Sequence, residues 1–358
     1  MTKDLPGAVL DENDIKIKLD SKDRKIISAL SVNARLSPTY LGKVVGLSKD
    51  SVRYRIKKIK ELGLIQRNEL IINPYAVGLK FYSVFLRLKN LNSKEELDLI
   101  TFLVNHPFIL WCGLVGGEWD IGINLVSKDL THFQSMLKEI KDRCGNNFID
   151  LLSLENLTLT KYDNLLPKYR LDSGITINLT KSDTSFQAYL KRPIARYDDI
   201  IFKPDKTDLL IIGMLAFNPI VSIADLSKKI KISFDTVKSR ITSLIKNKVI
   251  LAFNPLLTIN KIGICVYIVL IETNNMQDER KFEQYILQHP SIAYALKTHG
   301  KWDWQLYVGG SNHHEFYSVL RELRSAFPET IRSYSILSVI RDYKFTFIPE
   351  GLKQMFLG

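Results

Sequence analysis

The stretch SPTYLGKVVGLSKDSVRYRIKKIKELGLI, residues 37–65, decides how this chain is read. Ser37-Pro38 is a helix start: a serine side chain accepts from an orphan backbone N–H, and proline at the first helical position forfeits no hydrogen bond. Leu41, Val44 and Val45 then share one face. Gly46-Leu47-Ser48 reads as a tight turn, with Ser48 capping the next helix. There Val52, Ile56 and Ile59 recur at i, i+4 and i+7, a buried stripe, and Gly63 ends the helix. Upstream, Ser21 or Asp20 caps a helix with Ile26, Ile27 and Leu30 inside. Downstream, Leu64–Ile72 reads as a short β wing. Two short helices around a glycine turn make a helix-turn-helix.

Turned at about 100° per residue, the third helix, Lys49–Leu62, points Asp50, Ser51, Arg53, Tyr54, Lys57 and Lys58 outward. Residues 49–60 hold six basic residues. A major-groove helix needs such a face: guanidinium and hydroxyl groups read base edges while lysines neutralise phosphates. Ser51, Arg53, Tyr54 and Lys57 are the expected base contacts. Lys49, Arg55, Lys58 and Lys60 are the expected phosphate contacts, and Ser48 completes the interface at the helix start. A solvated basic face is the plain alternative; the capped turn and the wing favour DNA.

The chain repeats this unit. KDRKIISAL at 22–30 aligns with TDLLIIGML at 207–215, and Asp23, Ser37, Val52 and Arg55 map to Asp208, Ser222, Val237 and Arg240 at a constant offset of 185. The offset becomes 183 where His106-Pro107 meets His289-Pro290 and Gly117–Asp120 meets Gly300–Asp303. Within each repeat a second pattern follows. Phe81–Lys89 reads as a strand, Lys94–Asn105 as a helix, Ile109–Leu114 and Asp120–Val126 as strands, Leu130–Cys144 as a helix and Ile149–Thr160 as a strand. The order βαββαβ is ferredoxin-like. The expected fold class is therefore α+β, two copies of a winged helix-turn-helix followed by a ferredoxin-like domain. The boundaries are 19–74 and 75–165 for copy one, a linker at 166–204, and 205–258 and 259–350 for copy two.

Composition agrees. With 358 residues, 46% hydrophobic and 25% charged, this is an ordinary globular chain of two or three domains. Its net charge of +12 is uneven: residues 18–68 hold 13 basic and 4 acidic residues, whereas residues 75–165 hold 9 and 11. A polyanionic partner is expected for the first segment. Three scattered cysteines argue against disulfides and structural zinc and for a reducing cytoplasm. No apolar run reaches the roughly 20 residues of a membrane helix, and the polar N-terminus does not read as a signal peptide.

LDSKDRKIISALSVNARLSPTYLGKVVGLSKDSVRYRIKKIKELGLI with the following INPYAVG, and the loop Gly-Glu-Trp-Asp at 117–120, together resemble the Lrp/AsnC (feast/famine) transcription regulators. The likeness extends through both repeats. It implies binding of double-stranded DNA through the third helix. It also implies pairing of the βαββαβ sheets, as a homo-oligomer or, in a fused chain, an internal pseudo-dimer. A small effector such as an amino acid is implied near Gly117, Asp120, Gly300 and Asp303, with no cofactor and no metal.

The chain departs from the usual pattern in its duplication and in its second recognition helix. That helix offers Lys238, Ser239 and Arg240 as a weaker DNA contact, and Thr242 and Ser243 replace Lys57 and Lys58. In the sensing loops Trp119 and Trp302 stand where relatives carry other aromatics and are expected to narrow a pocket. The linker residues Lys191, Arg192 and Arg196 read as exposed charge, and Ile175–Leu179 as a strand.

No catalytic residue is expected. His106 and His289, each ending a sensing-domain helix, read as structural, a cation being favoured at a helix C-terminus. Two alternatives stay open: an architectural DNA-compacting protein without ligand, and a tetrapyrrole (sirohaem) decarboxylase, which shares this architecture. The first strand, Phe81–Leu86, lacks the histidine that such an enzyme would use.

Overall fold

The computed structural model describes residues 16–89, 91–174, 195–196, 202–274 and 278–357. In copy one, α1 (Ser21–Val32), α2 (Pro38–Val45) and α3 (Lys49–Glu61) form the trihelical unit. Their starts follow from the sequence. Asp20 accepts from the Asp23 N–H while the Asp23 carboxylate accepts from the Asp20 N–H, a reciprocal capping box. Ser37 and Ser48 cap α2 and α3. Gly46 and Gly63 sit at positive φ, where a side chain would be strained. Ile26, Ile27, Leu41, Val52 and Ile59 close the core between them.

Strand β1 (Ile65–Ile72) departs from a self-contained wing. It pairs with β7 (Ile250–Leu257), its counterpart from copy two. In this two-stranded ribbon Glu69 lies opposite Asn254, its own equivalent at offset 185, so a pseudo-two-fold axis runs between them.

The ferredoxin-like half of copy one comprises β2 (Lys80–Leu88), α4 (Ser93–Asn105), β3 (Ile109–Gly116), β4 (Ile121–Ser127), α5 (Leu130–Cys144) and β5 (Phe148–Tyr162). A short helix α6 (Pro167–Asp172) and the two-residue strand β6 (Ala195–Arg196) follow. Copy two repeats the plan with α7 (Lys206–Phe217), α8 (Ile223–Ile230), α9 (Phe234–Lys246), β7, β8 (Cys265–Thr273), α10 (Glu279–Gln288), β9 (Ile292–His299), β10 (Trp304–Gly310), α11 (His313–Ala326) and β11 (Ile331–Phe345), ending in α12 (Glu350–Leu357). Residues 175–179 and Lys191 and Arg192, named above as a strand and as exposed linker charge, lie outside the described residues; Arg196 lies in β6.

Eight strands close into a ring in the order β2-β4-β3-β11-β8-β10-β9-β5, with β5 returning to β2. The length of β5 and β11, 15 residues each, makes this closure. The first part of β5 pairs with β2 of its own copy and the last part with β9 of the other. Strand β11 does the same with β8 and β3. Edge strands that would otherwise invite pairing are thereby consumed within one chain. Phe85, Trp111, Ile268, Leu270 and Leu337 pack inside the barrel. At roughly 1.5–3 kcal/mol per fully buried large side chain, this core ties the two copies together. Gly122 lies mid-strand because a Cβ there would come within 2.6 Å of the Trp111 ring. Helices α4 and α5 cover one outer face and α10 and α11 the other.

Candidate nucleic-acid interface

Helix α3 buries Val52 and Ile59 and half-buries Ile56, as its spacing predicts. The opposite face leaves Lys49, Arg53, Tyr54, Lys57, Lys58 and Lys60 exposed, and Tyr54 is 68% exposed. Arg53 contacts Asp50 at 3.4 Å and Lys57 contacts Glu61 at 3.7 Å. Such surface pairs hold little energy and leave the cations free to exchange onto phosphates. Ser48 is spent on capping: its Oγ accepts from the Ser51 N–H at 3.1 Å and lies 2.8 Å from the Ser51 Oγ.

Arg55 corrects the expectation. Its guanidinium turns inward and donates to Asp20 at 2.6 Å and Asp23 at 2.7 Å, the two carboxylates of the α1 capping box. The backbone N–H of Asp23 and then the guanidinium hold the Asp20 carboxyl below its ordinary range, and the pair raises Arg55 in return. Arg55 is thus a strut between α1 and α3, not a phosphate ligand. Arg240 repeats this on Asp205 at 2.8 Å and Asp208 at 2.9 Å, so it too leaves the set of DNA contacts. Sequence alignment had paired these residues correctly; what it lacked was that an arginine opposite a double-aspartate cap is drawn inward.

Copy two keeps the frame and changes the face. Val237, Ile241 and Leu244 are buried in α9, and Lys238 and Ser239 are exposed. Thr242 donates to the Lys238 carbonyl at 2.9 Å, and Ser243 accepts from Asn247, so both hydroxyls bond within the helix. Phe234, 46% exposed, stands at the position of Lys49. Lys231 and Lys248 occupy the positive-φ positions that copy one gives to Gly46 and Gly63.

The two helix-turn-helix units are also bolted to each other. Arg35 donates to the carbonyls of Pro219 at 2.6 Å and Val221 at 2.8 Å and lies over the Phe253 ring. The Ala34 N–H donates to the Phe253 carbonyl. Helices α6 and α12 brace α1 and α7 from behind. Sequence reasoning missed Arg35; its only signal was a basic residue in a turn whose copy-two equivalent, Ile220, is apolar.

The residues expected to hold an effector have structural tasks. Gly117 and Gly300 adopt φ of 132° and 141° at the hairpin loops. A Cβ at Gly117 would meet the Ile336 carbonyl at 2.8 Å, and one at Gly300 the Leu154 side chain at 3.0 Å. Each loop therefore packs on the long strand of the other copy. Asp120 accepts from the Leu88 N–H at 2.7 Å, and Asp303 from both the N–H and hydroxyl of Thr273. Trp119 and Trp302 are buried in the barrel core, 4% and 5% exposed, rather than narrowing an outer pocket.

His106 and His289 correct a second expectation. Both cap helix ends as foreseen, but not as cations. Burial pushes His106 down to about 4 and lowers His289 as well, so both rings are neutral near pH 7. The Nδ1 of each accepts a backbone N–H, from Phe108 and Ser291 respectively, at 3.2 Å. Lysines of the opposite copy bond the same helix ends: Lys344 donates to the His106 carbonyl, and Lys161 to those of Ile286 and His289. Among the described residues, no group of three or more His, Cys, Asp and Glu side chains could hold a metal ion, and no helix is long and apolar enough to cross a membrane.

Comparison with known proteins places this geometry. Residues 19–60 match the AsnC-type helix-turn-helix domain, and residues 204–250 match a winged helix-turn-helix DNA-binding domain. The proline dehydrogenase transcriptional activator of Rhodobacter capsulatus is 30% identical over 122 residues, 34% of this chain and 79% of that protein. The chain belongs to the Lrp/AsnC family of transcription regulators. A second Lrp/AsnC-type relative, the HTH-type transcriptional regulator Ptr1 of Methanocaldococcus jannaschii, is 31% identical over 128 residues, 34% of this chain and 80% of that one. Among solved structures, the siroheme decarboxylase NirDL superposes with a TM-score of 0.58 at 12% identity, covering 94% of this chain and 97% of that chain. At that identity the likeness carries the fold: this Lrp/AsnC chain shares its tandem arrangement.

Proposed function

We propose that this chain is a sequence-reading transcription regulator whose principal DNA contact is α3, with α9 a weaker contact set at a fixed distance from it. One observation carries the reading. On α3 the basic residues divide, Arg55 turning inward as a strut while Lys49, Arg53, Lys57, Lys58 and Lys60 stay on the open face with Tyr54. In this reading Arg53, Tyr54, Lys57 and Ser51 contact base edges, and Lys49, Lys58 and Lys60 contact phosphates. On α9 the corresponding contacts fall to Lys238 and Ser239.

Effector control at the hairpin loops belongs to the same proposal, supported by the exposure of Asp120 beside Gly117. The experiment is fluorescence anisotropy with the duplex upstream of the chain's own gene and a scrambled duplex, over a salt series and with each amino acid added. A steep log–log slope with tighter binding to the upstream duplex is the expected result. Equal affinity for both duplexes favours the architectural alternative.

A decarboxylase reading has the shared barrel in its favour, but a fold does not choose a chemistry. The described lining of the cavity of about 900 Å³ beneath the β1–β7 ribbon contains no histidine. A Soret-band change on adding sirohaem would revive that reading.

A further inference from the structure

At the barrel end away from the Gly117 and Gly300 loops, the β1–β7 ribbon roofs a cavity of about 900 Å³. Its walls are the early residues of β8 and β9, the late residues of β5 and β11, and the ribbon strands themselves. Aromatic rings line one part of it. Trp111, Tyr162, Tyr294, Tyr307, Phe345 and Phe347 form a chain of edge-to-face contacts with centroids 5.0–6.3 Å apart. Beside these rings stands the Asp342 carboxylate, with Glu69 and Asp163 elsewhere on the wall. Asp342 is exposed, and the space it is exposed to is the cavity. Its Oδ1 accepts from the Trp111 Nε1–H at 2.7 Å. Among the described residues no basic side chain pairs with it.

The other charges on the cavity wall are engaged. Arg67 pairs with Glu69, Asp163 with Arg170, Lys344 donates to the His106 carbonyl, Lys261 donates to the Leu62 carbonyl, and Arg341 lies over the Tyr343 ring. In the floor beneath, Tyr307 OH accepts from Asn124 and Gln305. Protein around Asp342 raises its carboxyl above the ordinary range. A buried carboxylate without an ion-pair partner is costly, and aromatic faces attract cations in their own right. The pseudo-two-fold does not repeat the group: the copy-one equivalent of Asp342 is the apolar Leu159. Asp342 therefore has no acidic counterpart on the copy-one side of the chamber.

We propose that this chamber is a binding site for an organic ammonium ion, the cation seated on Asp342 and its apolar body among the rings. The site is distinct from the hairpin loops and does not depend on the DNA-binding reading. The roof leads through Gly63 directly into α3, so an occupant there is adjacent to the recognition helix.

The test is calorimetry of the full chain without DNA, using phenethylamine and tyramine, with phenylacetate as the probe of similar body and opposite charge. The expected result is binding of the amines and none of phenylacetate. Asp342→Asn keeps an acceptor for Trp111 and removes the charge; it should weaken amine binding roughly tenfold or more while melting no lower than the parent. Val339→Trp, which fills the chamber from β11, should also abolish binding, so the outcome does not hang on one variant. Absence of amine binding, equal binding of phenylacetate, or unchanged affinity in Asp342→Asn would overturn the proposal.

Discussion

Helices α3 and α9 share a frame and differ in surface. Both are capped by serine, both bury a valine and an isoleucine stripe, and both are strutted by an arginine onto two aspartates. Yet residues 49–60 hold six basic residues and the equivalent residues 234–245 hold two. With one arginine in each set serving as a strut, the outward difference is five against one. The buried positions are constrained by packing and the outward positions are not, so the two helices agree in the first and differ in the second. Copy two also differs where Lys231 and Lys248 stand in place of two turn glycines at positive φ.

The largest expected effect breaks the asymmetry outright. Reversing Lys57 and Lys58 to Glu should lower DNA affinity on the order of 100-fold near 0.15 M salt, with the circular dichroism spectrum unchanged. The equivalent changes Thr242→Glu and Ser243→Glu should cost only a few-fold; comparable losses from both pairs would place the contacts evenly. The converse change sharpens the contrast. Thr242→Lys with Ser243→Lys should tighten binding and steepen the log–log salt slope by up to about 1.8, at about 0.9 per added phosphate contact.

At the helix ends the two copies should behave alike. His106 is held neutral in the fold, near 4, while an unfolded histidine titrates near 6.5. Between those values the unfolded state binds the extra proton, so stability falls as pH drops from about 6.5 toward 4. His289 is lowered for the same reason. Denaturant melts across that window should show a loss on the order of 3 kcal/mol from His106 and a further loss from His289, and His106→Asn should flatten its share. The smallest effect concerns the turn in copy two. Lys231→Gly should stabilise the second helix-turn-helix by up to about 1 kcal/mol, seen in a denaturant melt, whereas Gly46→Lys should destabilise the first.

Much of this architecture was legible because periodicity and caps are local. Ser37-Pro38, Ser48 and Gly63 marked their helix ends, and the βαββαβ order emerged with boundaries within two residues of the observed elements. What escaped depends on residues far apart in the chain. The wing at Ile65–Ile72 was visible, but its partner lies 185 residues away. The closure of the barrel depends on how far β5 and β11 run past their own sheets, which hydrophobic alternation does not reveal. Arg55 counted as one more outward cation until Asp20 and Asp23 were placed opposite it. Asp342 carried no sequence signal, because its isolation is a property of the rings around it.

The central claim is that α3 is the principal DNA contact and α9 the weaker one. Tyr54 and Ser239 are equivalent positions on the two helices, both exposed. A photo-cross-linking side chain placed at each in turn, with the upstream duplex bound, reads the claim directly. The account predicts strong cross-linking from position 54 and little from position 239. Equal yields, or a stronger yield from position 239, would contradict it.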